Sequence, residues 1–289
     1  MTQQIQYDQL NRFLFESSQV RGEITQLDKS YKQAIASHDY PPIVNQLIGQ
    51  AMAAASLLSA TIKFEGQLIL QFQGQGNLRI LAAECTSDGK VRAVARYQDM
   101  PKKGKLIDLL GKGQAVITLQ PEKGEPWQGL VPLEKPDMAK CLEDYFQRSE
   151  QLPTHIQLAC DGEIAAGFML QAMPESANNA RAADVTTEES DLWNTVVALA
   201  ATLKKEELLH LPESVILHRL FHEYGVRLFD PKPIQFSCRC SKERLAVSLS
   251  AMSETDLDEI QDEKGQIHAN CEYCNQTYSF DVTSLKAAK

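Results

Sequence analysis

Apolar and polar positions change their rhythm twice along the chain. Through roughly the first 175 residues, helix-like and strand-like patterns alternate. After Tyr40-Pro41-Pro42, the run from Ile43 to Ile62 is Ala-rich and apolar nearly all round. Prolines suit a helix start and alanine favours helix, so this segment predicts a buried helix. Between Gln67 and Gln73, Leu68, Leu70 and Phe72 alternate onto one strand face and Ile69 onto the other. Gly74-Gln75-Gly76-Asn77 turns the chain into a strand over Leu78 to Ala82. Val91 to Tyr97 and Ala115 to Leu119 read as further strands, and Gly124-Glu125-Pro126 breaks the next connection. Asp137 can cap a helix with Leu142, Tyr145 and Phe146 on one face, ending before Pro153. His155 to Cys160 and Ile164 to Met173 flank Asp161-Gly162, a hairpin signal. The expected fold class is α+β, with the sheet order left open.

The rhythm changes after Met173. Pro174 to Asp191 is polar and reads as a linker. Leu192, Val196, Leu199 and Leu203 then recur at helical spacing, followed by the charged run Lys204 to Glu207. Pro212 starts another helix through Leu217, Leu220 and Phe221, with Gly225 near its end. Short amphipathic helices of this kind need a surface to pack on. Asp230-Pro231-Lys232-Pro233 marks a second boundary. Beyond it Ser241 can cap a helix carrying Leu245 and Leu249. Ser253-Glu254-Thr255-Asp256 resembles a capping box and starts a helix ending near Gly265. Gln266 to Phe280 reads as a β-hairpin with a cysteine turn at its tip. The expected division is an N-terminal α+β domain (1–178), a helical linker (179–232) and a small C-terminal metal-binding domain (233–289).

Composition narrows the function. At 43% hydrophobic and 23% charged, the chain has ordinary globular values, which argues against widespread disorder. A net charge of −9 argues against a basic nucleic-acid binder. The first residues lack a basic and apolar leader pattern, and the apolar stretch at Ala51 to Ile62 is too short to span a bilayer. These features predict a cytoplasmic protein with reduced thiols, no membrane partner and no nucleic-acid partner. No Gly-x-x-x-x-Gly-Lys loop is present, and Gly74-x-Gly76 lacks the third glycine of a dinucleotide site. His218 and His222 lie four apart on a helix but not in a His-Glu-x-x-His pattern, so a solvated face is expected. Cys85, Cys141 and Cys160 read as small buried hydrophobes.

The other four of the seven cysteines carry the chemistry. Cys238-x-Cys240 and Cys271-x-x-Cys274 have the arrangement of one tetrahedral four-thiolate zinc site. Asn275 stands where glycine often closes such a turn, and asparagine tolerates left-handed backbone. A domain of 57 residues is stable by roughly 3–9 kcal/mol at ordinary values per residue. A structural zinc contributes about 10–16 kcal/mol in isolated finger peptides, so the metal dominates. Two readings fit this spacing. One is a permanent zinc ribbon. The other is a thiol switch, because each close pair can form a local disulfide and zinc-bound thiolates are what oxidants attack.

The sequence resembles a known family, the redox-regulated bacterial 33-kilodalton heat-shock chaperones (heat shock protein 33). Beside the four cysteines, the resemblance rests on Arg12-Phe13-Leu14-Phe15, Val20-Arg21-Gly22-Glu23, His38-Asp39-Tyr40-Pro41, the run Leu57 to Phe64, and Gln73-Gly74-Gln75-Gly76. Its most specific stretches are Cys141 to Thr154 and Phe229-Asp230-Pro231 leading into Phe236-Ser237-Cys238-Arg239-Cys240-Ser241. The resemblance implies an ATP-independent holdase, not an enzyme, that binds unfolding or oxidatively damaged client proteins. It implies one zinc ion on Cys238, Cys240, Cys271 and Cys274 in an inactive reduced state. It further implies oxidation to disulfides Cys238–Cys240 and Cys271–Cys274, zinc release, unfolding of the C-terminal domain and of a metastable linker from about Ala180 to Pro231, and an active homodimer built on the N-terminal domain.

The alternatives are a zinc ribbon that binds RNA or the translation machinery, and a thiol oxidoreductase or zinc hydrolase. From Pro233 onward six Lys/Arg face nine acids, which disfavours the first. Four thiolates leave no open metal position for a zinc hydrolase. Cys271-x-x-Cys274 follows no βαβ pattern, which disfavours a thioredoxin-like enzyme.

Overall fold

The computed structural model describes residues 5–16, 18–61, 65–99, 103–173 and 187–287. Of the polar stretch Pro174 to Asp191 read as a linker, residues 174–186, with the expected domain boundary, lie outside the described residues; 187–191 instead form the first turn of a helix that runs to Ala200.

The chain opens with two strands that the periodicity reading did not assign, β1 (Gln9–Phe15) and β2 (Val20–Leu27), followed by α1 (Lys29–Ile35). The expected buried helix is α2 (Pro42–Ser59). Next come β3 (Gly66–Gly74), β4 (Leu78–Thr86), β5 (Lys90–Tyr97), α3 (Leu106–Leu110), β6 (Gly113–Pro121) and β7 (Trp127–Pro132). Asp137 caps α4 (Met138–Tyr145) by accepting from the Lys140 N–H at 2.9 Å, and a π-helical turn (Phe146–Glu150) completes that helix. The predicted hairpin is β8 (Thr154–Cys160) and β9 (Ala165–Ala172). Its turn is fixed by the Asp161 carboxylate, which accepts from the Glu163 and Ile164 N–H groups at 2.8 and 2.7 Å.

Two antiparallel sheets face each other across α2. The first runs β2-β9-β8 from β1, and the second runs β5-β4-β3-β6-β7. Helix α2 packs against both, which explains why it is apolar nearly all round. Close approach is built in: a Cβ on Gly49 would sit 2.5 Å from Cys160 Sγ. Leu68, Leu70 and Phe72 point into this core, as their alternation predicts. Of the scattered cysteines, Cys85 and Cys141 are buried and Cys160 is partly buried.

The first sheet is covered on its other face as well. Helices α5 (Thr187–Ala200), α6 (Lys205–His210) and α7 (Glu213–Phe221) lie there and bury Val196, Leu208, Ile216, Leu217 and Phe221, and the α5–α6 turn adds Leu203. The sheet contributes Phe13, Phe15, Val20, Ile24, Phe168 and Leu170 to this second cluster. Phe221 packs edge-on to Phe15, with ring centroids 5.0 Å apart. Two polar side chains of the sheet grip helix ends. Gln26 donates to the carbonyls of Leu208 and Leu211 at 2.8 and 2.9 Å, and Gln157 donates to that of Ala200 at 2.7 Å. Burial on both faces explains why β2 and β9 are buried almost continuously, with no alternation. His218 and His222 are exposed, their rings stacked 5.6 Å apart. The two tryptophans divide between the layers. Trp193 of α5 packs against the second cluster, and Trp127 is 45% exposed on the edge strand β7.

The segment Asp230 to Pro233, read as a boundary, is woven into both sheets. Strands β10 (Val226–Leu228) and β11 (Lys232–Pro233) pair with β1, and β12 (Gln235–Phe236) pairs in parallel with β5. This strap therefore crosses from the first sheet to the second and delivers the chain to Cys238. The last unit holds α8 (Lys242–Ser250), α9 (Glu254–Ile260), the hairpin β13 (Gln266–Asn270) and β14 (Thr277–Asp281), and α10 (Val282–Ala287). The Ser253–Asp256 capping box forms as expected, although α9 stops at Ile260, short of Gly265. Among the described residues this unit buries Leu257, Ile267, Phe280, Val282 and Leu285 as its own apolar core, with partly buried side chains such as Leu245 and Leu249 packed against it.

One buried acid in the first sheet sets a pH dependence. Glu23 is 2% exposed, and its Oε2 has no hydrogen-bond partner among the described residues. Burial pushes its carboxyl from 4.5 up to about 7, against the smaller pull of Arg21 and Arg12. The folded state thus holds a proton that the unfolded chain releases, and stability from this group falls as pH rises from about 4.5 through 7. Between pH 5.5 and 8, Glu23→Gln should lose about 2 kcal/mol less stability than the unaltered protein. Urea unfolding at the two pH values checks this, and parallel losses would refute it.

Candidate metal centre

The four cysteines come from two places that the fold brings together. Strand β12 ends two residues before Cys238, and its alignment is carried into the motif because the Ser237 N–H donates to Val91 O at 3.1 Å. Ser241 then caps α8 by accepting from the Arg244 N–H, which turns the chain away after Cys240. Cys271 and Cys274 sit on the turn between β13 and β14. That turn closes with the Asn275 N–H donating to Cys271 O at 2.7 Å and with Asn275 at φ +56°. The left-handed residue falls where the sequence pattern places it.

All four Sγ atoms lie within 4.8 Å of one another. Cys238 Sγ is 3.6 Å from Cys271 Sγ, and Cys240 Sγ is 3.5 Å from Cys274 Sγ. All seven cysteines are free thiols. A disulfide requires about 2.0 Å between sulfurs, whereas a tetrahedral site with metal–sulfur bonds of about 2.3 Å places them about 3.8 Å apart. The cluster has the second spacing.

Its electrostatics also ask for a cation. Burial resists ionisation of Cys240, but hydrogen bonds from the Tyr278 hydroxyl, 3.2 Å away, and from the neighbouring thiols hold it down to about 7. Burial pushes the Cys271 and Cys274 thiols up, and sharing protons with nearby sulfurs adds to the rise. Two charged sulfurs about 3.6 Å apart repel by roughly 4–5 kcal/mol at an effective dielectric of 20. One thiolate therefore forms readily and four do not, unless a divalent ion sits among them. Soft thiolates in this geometry fit zinc, and four of them close the coordination sphere.

The residues around the cysteines hold the unit against the second sheet. Glu84 of β4 accepts from Arg92 of β5 through two bonds of 3.0 Å, and from the Tyr273 hydroxyl at 2.6 Å. Arg239 also donates to Glu84. Arg92 stacks over the Tyr273 ring at 3.9 Å. Burial and the adjacent carboxylate push the Tyr273 hydroxyl up, which keeps it a donor. At the rim, Arg96 Nε donates to Glu272 at 2.9 Å and Asn275 donates to Ser37 O at 3.3 Å. Sequence reasoning found the cysteines but not Glu84, Arg92 or Tyr278. The expected strand ended at Ala82, one turn of pleat short of Glu84. The available signal was a lone acid following Leu81-Ala82-Ala83 in an apolar strand.

The fold and the cluster together define a two-sheet body with a helical cover and a small four-cysteine module docked beside it. A family model described as Hsp33 protein matches residues 8–281, and the chain belongs to that family. It is 43% identical over 281 residues to the 33 kDa chaperonin of Shewanella loihica, covering 97% of this chain and 95% of that one. It is 42% identical over 279 residues to the 33 kDa chaperonin of Nitrosococcus oceani, covering 96% and 93%. The crystal structure of the 33 kDa chaperonin (heat shock protein 33 homolog) from Thermotoga maritima superposes with a TM-score of 0.80 at 20% identity, covering 97% of each chain. Relatives named as chaperonins support a chaperone. Among the described residues, no helix is long and apolar enough to cross a membrane.

The turn geometry makes a local prediction. Asn275→Gly should leave the module's stability within about 0.5 kcal/mol, whereas Asn275→Val should cost about 1–2 kcal/mol from left-handed strain. Competition with a zinc chelator under reducing conditions reads the difference. Equal behaviour of the two variants would show that the turn does not need this backbone.

Proposed function

We propose that this protein is a redox-regulated, ATP-independent holdase that works in a reducing cytoplasm and captures unfolding or oxidatively damaged proteins. The observation that carries the reading is the convergence of four thiols into one cluster, on a module that has few other means of staying folded. In this reading Cys238, Cys240, Cys271 and Cys274 hold one zinc ion. When bound, the ion supplies charge neutralisation and cross-linking, with no open position for catalysis. The units are the α+β body (1–178), the linker (179–232) and the zinc domain (233–289).

Activation follows from thiol chemistry. Each thiolate pair gives up two electrons to an oxidant such as hypochlorous acid, which takes up a proton from solvent and leaves as chloride and water, and the two sulfurs form one disulfide. Disulfides Cys238–Cys240 and Cys271–Cys274 consume all four donors. The near sulfur contacts of 3.6 and 3.5 Å run between the two motifs, so pairing within a motif rests on short-loop closure and on the family resemblance. Without its cross-link the module has five buried apolar side chains to hold it, and it unfolds. Release of the strap and of α5 to α7 then uncovers Phe13, Phe15, Phe168 and Leu170 of the first sheet, an apolar face suited to exposed segments of unfolding clients. The active form is a homodimer through the α+β body.

An RNA-binding ribbon has less support. Arg239 within the cluster, and Arg92 and Arg96 beside it, are already paired with Glu84 and Glu272.

The decisive experiment treats purified reduced protein with hypochlorous acid, or with peroxide at raised temperature. It follows zinc release together with light scattering from a heat-denaturing enzyme. Zinc release with suppressed scattering is expected, and zinc release with undiminished scattering would overturn the holdase reading. In reductant, Cys271→Ser should weaken zinc binding and loosen the module's amide protection. Unchanged affinity would remove Cys271 from the ligand set.

A further inference from the structure

The residues between the cysteines do more than set spacing. Arg239 lies between Cys238 and Cys240, and Tyr273 immediately precedes Cys274. Both reach the same carboxylate, that of Glu84, which precedes Arg239 by 155 residues and is 5% exposed. We propose that Glu84 is a positioning residue for the metal centre: by clamping Arg239 and Tyr273 together, it holds the two cysteine motifs at the separation the metal requires.

The carboxylate is fully used by this arrangement. It offers about four acceptor positions. Arg92 takes two with its Nε and Nη2, Tyr273 takes one on Oε1, and Arg239 takes one on Oε2. Arg92 belongs to the same sheet and fixes the carboxylate's orientation, while the other two donors each arrive from a different motif. The support is rigid, because β4 is paired on both sides, with β3 and β5. Glu84 thus presents a preformed fork to which the two halves of the metal site attach independently. By contrast, the Arg96–Glu272 pair is about half exposed on both sides, and such pairs contribute little.

The clamp links two equilibria. If docking on Glu84 favours the metal-binding arrangement by some factor, the metal favours docking by the same factor. Loss of the metal is then felt on β4 as loss of two of the three residues that satisfy a buried carboxylate. The inference rests on the reading that the four cysteines bind zinc.

The test measures zinc affinity of the reduced full chain by chelator competition for the unaltered protein, Glu84→Gln, Tyr273→Phe, the double variant, and Glu122→Gln as an exposed control. Residues that orient metal ligands typically change affinity by about 10- to 100-fold when removed. Each of the two single variants should lose about tenfold or more, the double variant no more than Glu84→Gln alone, and the control nothing. With cobalt(II) in place of zinc, the thiolate-to-metal absorption should shift in the same two variants, which a merely destabilised body would not cause. If Glu84→Gln fails to fold, Tyr273→Phe carries the test, since it alters only the module. Wild-type affinity and cobalt spectrum in a folded Glu84→Gln or in Tyr273→Phe overturn the proposal, as does full multiplication of the two losses in the double variant. An unaltered protein that binds no zinc overturns the zinc reading itself and, with it, the clamp.

Discussion

Four sulfur atoms within 4.8 Å of one another cannot all carry charge without a cation among them. The rest of the C-terminal architecture depends on this constraint. The module's own buried apolar core is five side chains among the described residues, and its helix α8 buries no side chain fully. In the proposed reading its fold is tied to a chemical state of its cysteines more than to packing. The body of the molecule is the opposite case. Helix α2 and the inner faces of both sheets form a continuous apolar core that contains no metal ligand.

Between these extremes lies the first sheet, which has one face against α2 and the other under a helical cover. The face against α2 belongs to the core. The other is covered by three short helices, of which α5 and α6 have their ends held by Gln157 and Gln26, and whose continuation runs through the strap to Cys238. Helices of 6 to 14 residues are marginal in isolation, so their order depends on that face and on what holds the strap. The four-cysteine cluster thus lies at the end of a strap that follows these short helices.

Much of this was legible in the sequence, for identifiable reasons. Helix α2, β3, the Asp161-Gly162 hairpin and the cysteine turn carry strong local signals: apolar periodicity, a turn dipeptide and cysteine spacing. The strands β1 and β2 were not assigned, because a sheet buried on both faces shows no alternation to read, as the burial of β2 illustrates. The pairing of the strap with both sheets was not legible, because prolines mark chain breaks and edge strands alike. The cysteine cluster could be read from spacing alone. Glu84 could not, since its role arises from contacts with residues 155 and 189 positions away.

The placement of the two tryptophans gives the molecule a built-in optical readout. Trp193 rides on α5 against the apolar face of the first sheet, whereas Trp127 sits half exposed on a strand of the permanent body. Lifting the helical cover moves Trp193 into water and shifts its emission to longer wavelength. Trp127 keeps its surroundings and serves as an internal reference. Uncovering and refolding can therefore be followed in real time by ordinary fluorescence on the unlabelled chain, with one indole as signal and the other as baseline.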